Sequence, residues 1–202
     1  MLIDFKNLSA NQAYFALIQS VIPRPIAWVL SDSSQGSFNL APFSFFTGVC
    51  GDPPLIMLSI GHKPDGTRKD TWVNIDERHD FVIHIAPSSL ASPLVASAKA
   101  LPHGESELDA SGLETLTVQG QRLPRVVGPK LVMFCTKHAI HEVGNQNQGL
   151  ILGEIQAMYV DDEAGAMIGD RLVIDPTKID PLSRLGGNEY ATLGEVQTHM
   201  RP

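Results

Sequence analysis

Hydrophobic and polar positions alternate in short runs over most of the chain. The apolar run 26–30 and the polar Ser/Asp/Gly segment 31–36 predict the first arm and the turn of a hairpin. Two longer runs, 130–141 and 149–160, are rich in Val, Ile, Met and Phe and predict a second hairpin around a glycine-bounded turn. Further strands are predicted from residue 37 onward and at 47–50, 55–60 and 81–86.

Two segments have helical character instead. Residues 11–20 follow Ser9, a suitable N-cap, and precede Pro23, which ends the predicted helix. Residues 88–101 are rich in Ala, Ser and Leu, and they predict a helix that begins at a Ser88 or Ser89 cap. Because strand–helix–strand units are few, the pattern predicts a mainly β fold with flanking helices, built as an antiparallel barrel.

The length of the chain favours one domain. A chain of 202 residues with 43% apolar and 18% charged residues can bury one sizeable core. We therefore expect a single domain over residues 1–202, with its core at about 20–190. The Pro- and Gly-rich tail, 175–202, is expected to wrap the barrel or a partner subunit as an arm.

The formal net charge of −7 argues against nucleic-acid binding, which requires clustered Lys and Arg. No segment has the roughly 18 consecutive apolar residues of a membrane span, and the first residues do not resemble a signal peptide, so a cytoplasmic protein is expected. Cys50 and Cys135 lie far apart in apolar surroundings and predict two buried free thiols. His138 and His141, the one close histidine pair, have no further ligands at metal-site spacing, so no metal is expected.

The segment 39–46, with the sequence NLAPFSFF, combines small residues, a proline and polar side chains at a strand end. Such a segment exposes backbone N–H and C=O groups. These groups can pair with the polar edge of a planar cofactor such as a flavin, while apolar side chains cover the ring. The alternative is an edge strand interrupted by Pro42, in which Phe43, Phe45 and Phe46 form an aromatic core cluster.

A second informative segment covers residues 59–75. Lys63, Arg68 and Lys69 lie within seven residues of one another in an otherwise acidic chain. The pair Thr67 and Asp70 has the spacing of a capping box, and a helix start flanked by lysine is suited to binding a phosphate. The alternative is an ordinary solvated basic turn before a short helix.

Taken in order, these motifs resemble those of the flavin reductase-like family of FMN-binding split barrels. The similarity extends over roughly residues 20–190, and the number and order of its motifs make it specific. The motifs are Arg-x-Ile-x-x-Val at 24–29, Asn-Leu-Ala-Pro-Phe-Ser-x-Phe at 39–46, the strand from Asp52-Pro53-Pro54 to Ser59, Lys69-Asp70-Thr71-x-x-Asn74, 104–113, Leu152-Gly153-Glu154-Ile155 and Arg184-Leu185-Gly186-Gly187-x-x-Tyr190.

The resemblance implies a six-stranded antiparallel Greek-key split barrel that binds FMN, with FAD less favoured. It implies that residues 39–45 line the isoalloxazine ring, that Ser59 and Ile60 lie beside the ribityl chain, and that Lys69 and Thr71 hold the phosphate. The candidate cofactor-binding residues are Arg24, Asn39, Leu40, Ala41, Pro42, Phe43, Ser44, Phe45, Ser59, Ile60, Lys69, Asp70, Thr71, Arg184 and Tyr190.

Three of these candidates have alternatives. Arg24 and Arg184 either reach the cofactor or substrate, or anchor carbonyl-rich turns. Tyr190 either closes the pocket mouth or serves in packing. No catalytic side chain is assigned, because the flavin itself would carry the chemistry.

The resemblance also implies a redox function, with NAD(P)H as a possible donor. The chain lacks a G-x-G-x-x-G that opens a helix, so a nicotinamide would have to stack directly on the flavin. Two other functions stay open: a flavoredoxin-like carrier that exchanges electrons with protein partners, and a flavin-binding protein without turnover. The family further implies a homodimer with the cofactor near the interface, acting on a small-molecule redox substrate or a protein partner.

Overall fold

The alternating apolar runs form the strands of an antiparallel barrel. The computed structural model describes residues 1–99 and 106–200. Its strands are β1 (Arg24–Pro25), β2 (Ala27–Asp32), β3 (Phe38–Phe43), β4 (Phe46–Gly51), β5 (Pro54–Ile60), β6 (Asp80–Ile85), β7 (Thr115–Leu116), β8 (Arg125–Val126), β9 (Leu131–Val143), β10 (Gln148–Val160), β11 (Gly165–Ile168), β12 (Arg171–Ile174), β13 (Ser183–Arg184) and β14 (Tyr190–Ala191).

Helices flank these strands. They are α1 (Ala10–Ser20), α2 (Asp70–Arg78), α3 (Ala91–Ala96), α4 (Glu107–Ser111) and α5 (Pro176–Ile179), with 3-10 turns at Phe5–Asn7 and Ser88–Leu90. None of the helices within the described residues is long and apolar enough to cross a membrane.

The main sheet has seven strands in the order β3-β2-β6-β9-β10-β5-β4, and every neighbouring pair is antiparallel. Its two end strands, β3 and β4, are separated in sequence only by Ser44 and Phe45. One bent segment therefore contributes to both edges of the sheet. Counted as a single bent strand, β3 and β4 make the barrel six-stranded, as predicted, and the mainly β fold class is confirmed.

Strand β2 separates two hydrophobic clusters. All six of its residues are buried, and Trp28 and Leu30 belong to one cluster while Ala27 and Val29 belong to the other. Alternate side chains of a strand point to opposite faces, so burial on both faces means that each face of β2 is covered. The first cluster includes Leu94 of α3 and Leu108 of α4, and the second includes Trp72 and Ile75 of α2.

Of the two predicted helices, the first begins where the sequence predicts and the second is shorter than predicted. The N-cap at Ser9 is confirmed, because its side chain accepts from the Gln12 N–H and the Gln12 side chain accepts from the Ser9 N–H. The predicted helix 88–101 is instead a 3-10 turn followed by α3, which ends at Ala96. The Ser97 hydroxyl accepts from the Trp28 indole and donates to the Leu94 carbonyl, and this local bonding competes with continuation of the helix. The end of the predicted segment, 100–101, lies outside the described residues.

The cysteine prediction is right for one residue and wrong for the other. Cys135 is buried in β9, and burial raises the pKa of its thiol to about 12. Cys50 is exposed, because β4 is an end strand whose residues 47–51 all face solvent. Apolar neighbours in sequence did not imply burial here.

The C-terminal arm packs on the barrel along its first half. Leu182 is buried, and its N–H donates to the carbonyl of Ala86. β13 pairs with β1 and with β14, forming a small sheet beside the main one. The arm thus returns to the segment where the barrel begins.

A buried histidine joins three strands. His84 in β6 is fully buried, with Nδ1 3.0 Å from the carbonyl oxygen of Trp28 in β2 and Nε2 2.9 Å from the N–H of Val126 in β8. Since Nε2 accepts the Val126 hydrogen bond, the ring is neutral and Nδ1 donates to Trp28. Burial lowers the pKa of His84 from 6.5 to about 4.

We expect the free energy of unfolding to fall as pH decreases from about 6.5 to about 4. In this window the unfolded chain binds a proton at His84 that the folded protein excludes. The contribution of His84 to the free energy of unfolding is therefore complete above pH 6.5 and decreases progressively as the pH falls to about 4. The loss should be about 3 kcal/mol by pH 4. Urea unfolding at a series of pH values measures it. The His84→Gln variant should be less stable at pH 7 but have a shallower pH dependence; an equal slope in both proteins would contradict the assignment.

Candidate functional site

Two adjoining clefts open where β3 turns into β4. They share a wall formed by Pro42, Phe43, His62, Lys63, Pro64 and Lys69. The hairpin cleft, of about 680 Å³, extends from this wall toward α1 and the β9–β10 turn. The helix cleft, of about 490 Å³, extends toward α2, α3 and α4. Both volumes lie in the range of small-molecule and cofactor sites.

The clefts differ in the residues that line them beyond the shared wall. The helix cleft adds Asn39, Ala41, Asp70, Thr71, Ser97, Ala98, Lys99 and Glu107. The hairpin cleft adds Tyr14, Ile18, Ser44, Phe45, Ser59, Gly61, Gly66, Asn145, Gln146, Asn147 and Gln148.

A buried arginine fixes the corner between β3 and β4. Arg24 is 4% exposed, and its Nε donates to Ser44 Oγ at 3.3 Å. Its other nitrogens donate to the carbonyls of Ile18, Val21 and Leu185. Its guanidinium carbon also lies 5.9 Å from the centroid of the Phe45 ring. One side chain therefore connects the end of α1, the corner residues and the C-terminal arm.

The shared wall places a cation beside an aromatic ring. Phe43 is 7% exposed, and Lys69 Nζ lies 5.6 Å from the centroid of its ring. The Lys69 side chain remains accessible from the cleft, but the surrounding atoms remove part of its hydration and lower its pKa. Among the described residues, no carboxylate lies within 4 Å of Lys69 Nζ, whereas Lys63 pairs with Asp70 at 2.8 Å.

The capping box predicted for α2 is wrong. Lys69 is the N-cap residue and makes no side-chain cap, while the N–H and hydroxyl of Thr67 both donate to Asp65. The first-turn N–H groups of α2 therefore have no side-chain cap from Lys69. Asn39 Nδ2 donates to Thr71 Oγ1 at 2.8 Å, which leaves the Thr71 hydroxyl hydrogen able to donate to a ligand. This helix start is suited to bind an anion.

An acid that the sequence analysis did not single out lines the helix cleft. Glu107 is 8% exposed, and its Oε2 accepts from the N–H of Leu40 at 2.9 Å. Burial is the main cause of its raised pKa, and the nearby charge of Asp70 adds to the effect. Residue 107 was noted only as part of the 104–113 motif, of which 104 and 105 lie outside the described residues. A single acid in a polar segment gives no sequence signal of burial.

Ten of the predicted site residues meet in the two clefts, and five do not line them. Leu40 and Ile60 are fully buried with their side chains in the hydrophobic clusters. Arg24 lies behind the corner. Arg184 lies over the ring of Tyr190 at 4.4 Å, and Tyr190 packs against the first cluster. The ten that line the clefts are Asn39, Ala41, Pro42, Phe43, Ser44, Phe45, Ser59, Lys69, Asp70 and Thr71.

The sequence analysis also missed cleft residues outside the motifs. These are His62 on the shared wall and, in the hairpin cleft, residues 145–148, which comprise part of the β9–β10 turn and the first residue of β10. The polar turn was recognised only as a hairpin connection, because nothing in its composition indicates that it faces β5. The contact that places it there joins Gln148 Nε2 to Ser59 Oγ at 3.2 Å.

Comparison with known proteins agrees with this geometry. The family model described as flavin reductase like domain matches residues 19–182. An uncharacterised protein of Halalkalibacterium halodurans is 34% identical over 200 residues, covering 97% of this chain and 94% of its own. The solved structure of nitrilotriacetate monooxygenase component B from Bacillus cereus superposes with a TM-score of 0.89 at 31% identity, over 99% of this chain and 98% of that one.

A second structure, 2-nitrobenzoate 2-nitroreductase from Pseudomonas fluorescens, has a TM-score of 0.88 at 29% identity, over 100% of this chain and 96% of that one. These findings define a split-barrel protein with a site suited to a flavin. The chain belongs to the flavin reductase-like family. Its predicted family is thus confirmed.

Proposed function

We propose that this protein binds FMN and acts as an NAD(P)H-dependent flavin oxidoreductase. The observation that carries the proposal is the accessible Lys69 ammonium, which has no carboxylate partner among the described residues and stands at the uncapped start of α2 beside the Phe43 ring. This combination offers a cation at a helix start to a phosphate, and an apolar surface to a ring. The named relatives of known structure, a nitroreductase and a monooxygenase component, support an oxidoreductase.

The residues of β3 fit the polar edge of a flavin. β3 is an end strand of the sheet, so its outer N–H and C=O groups have no strand partner. The Leu40 N–H is already bonded to Glu107, and the neighbouring backbone groups and Asn39 can meet the ring edge. When bound, the flavin would supply an electron-accepting ring that takes hydride from a donor. The Lys69 and Thr71 side chains would hold the phosphate, which favours FMN over riboflavin.

The hairpin cleft provides room for the second reactant. Phe45 and Pro42 form an apolar wall there, and the chain has no G-x-G-x-x-G segment to bind a dinucleotide elsewhere. The protein would then contribute by holding the nicotinamide in place and limiting the access of water. A flavoredoxin-like carrier remains the competing proposal, because the same absence of a dinucleotide motif fits electron exchange with a protein.

A cytoplasmic location stays a prediction.

Lys69→Ala should weaken FMN binding by about 1.5–3 kcal/mol, because it removes a hydrogen bond to a charged group. Riboflavin, which lacks the phosphate, should lose little affinity. Fluorescence titration of both flavins against the apo-protein measures the difference. Lys130→Ala is the matched control, because Lys130 pairs with Glu163 and lines neither cleft. Equal losses for FMN and riboflavin, or a large fall in apo-protein stability, would indicate a structural role for Lys69.

Anaerobic NADH or NADPH should bleach the absorption of the FMN-loaded protein in a saturable step, at about 1 to 1000 per second. A second substrate should restore the absorption, and since both reactants would use the same open cleft, ping-pong kinetics are expected. Stopped-flow mixing measures both half-reactions. Failure of both nucleotides over minutes, with ready reduction by dithionite or a reduced protein, would reject the reductase in favour of the carrier.

The exposed apolar residues of α1 support a homodimer, which we include in the proposal. Ile18 is the one buried residue of α1, whereas Tyr14, Phe15 and Leu17 are exposed. Exposed apolar groups on one helix are typical of an interaction surface. Light scattering should give twice the 21.9 kDa mass of one chain.

Leu17→Glu should convert this dimer to a monomer, because it places a charge among the exposed apolar side chains of α1. Asn11→Asp, which changes the charge equally near the start of the helix, should leave the mass unchanged. A wild-type protein of monomer mass, or a dimer that tolerates Leu17→Glu, would contradict this interface.

A further inference from the structure

The lining of the hairpin cleft differs in charge from the chain as a whole. The chain has 22 Asp and Glu against 15 Lys and Arg, yet none of the described residues that line this cleft is acidic. Its charged lining among the described residues consists of Lys69 and of Lys63, which pairs with Asp70 at 2.8 Å. An acidic protein that excludes acids from one cleft gives that cleft a positive potential relative to the remaining surface.

A buried charge behind the wall adds to this potential. The guanidinium of Arg24 binds three carbonyls and Ser44 Oγ, and no carboxylate among the described residues lies within 4 Å of it. Burial is the main cause of the lowered pKa of Arg24, and the nearby charge of Arg184 adds to it; Arg184 likewise has no such carboxylate partner. A buried, uncompensated charge is weakly screened, so its field extends into the adjoining cleft.

The opposite side of the cleft carries free amides. Asn145 and Gln146 are exposed on the β9–β10 turn, and their side chains form no hydrogen bond with the described residues. Each amide has two N–H donors. These donors face a cleft whose other wall includes Pro42 and Phe45, which offer an apolar surface to a planar ring.

From this arrangement we infer that the hairpin cleft binds a small aromatic carboxylate whose ring carries a reducible substituent, and that this substituent accepts the two electrons of the reduced flavin after the oxidised nicotinamide has left the cleft. The ring lies against the apolar wall, and the carboxylate accepts hydrogen bonds from the turn amides within the positive field of Arg24, whose charge the FMN phosphate held by Lys69 does not pair. This inference rests on the proposed function, because it names the class of substrate that would meet the flavin in that cleft.

The test compares benzoate with its neutral isostere benzamide, titrated into the FMN-loaded protein and followed by the flavin difference spectrum and by calorimetry. Benzoate should bind at least about tenfold more tightly than benzamide, and this preference should shrink as salt is added. Gln146→Glu places a negative charge at the turn with almost no change in size. It should weaken benzoate about tenfold or more and leave benzamide within about twofold.

Gln156→Glu is the matched control. Residue 156 is exposed on β10, about 26 Å along the strand from Gln148, well beyond the screening length of physiological salt. It should leave both affinities unchanged. Equal binding of benzoate and benzamide, or equal effects of the two Gln→Glu variants, would overturn the inference while flavin binding remained intact. A protein that takes up no flavin would instead reject the proposed function, and the inference with it.

Discussion

The buried guanidinium of Arg24 connects the parts of the molecule that form the hairpin cleft. Its donors bind the carbonyl groups at the end of α1, the hydroxyl group at the β3–β4 corner and a carbonyl of the C-terminal arm. Burying a charge is costly unless its polar atoms are bonded, and here carbonyl dipoles and a hydroxyl supply the bonds in place of a carboxylate. The three segments must therefore stay together, and the Arg24 side chain keeps its positive charge inside the protein.

The same corner explains how one strand serves both the barrel and the site. β3 and β4 occupy opposite edges of the sheet although only two residues separate them, so the chain bends sharply there. The inner side of β3 pairs with β2, and its outer side has no strand partner. Glu107 accepts from the outward N–H of Leu40, and the carbonyl groups on the same side of β3 have no strand partner. The barrel thus leaves its edge open where a ligand can use it.

Charge is distributed unevenly over the fold. Several cations form ion pairs, including Arg122 with the buried Asp32 and Lys63 with Asp70, and these pairs hold local structure together. Lys69 and Arg24 lack carboxylate partners among the described residues; Lys69 lines both clefts, whereas Arg24 lies buried behind the corner. Unpaired cations are available to an anionic ligand, because a ligand does not have to displace an existing partner. The electrostatics of the site therefore depend on which cations the fold leaves unpaired.

The sequence by itself determined the strands of the main sheet, the first helix with its Ser9 cap, the family and three of the six residues on the shared wall, because these features follow from local periodicity and contiguous motifs. It could not determine that Cys50 faces solvent, that Thr67 binds Asp65 instead of capping α2, or that α3 ends before Ser97. The position of β4 at the edge of the sheet decided the first outcome, and competing side-chain hydrogen bonds decided the other two. Tertiary structure alone also brought Glu107 and residues 145–148 to the clefts. It kept Arg184 and Tyr190 out of them. Each of these placements depends on contacts between segments that lie far apart in sequence.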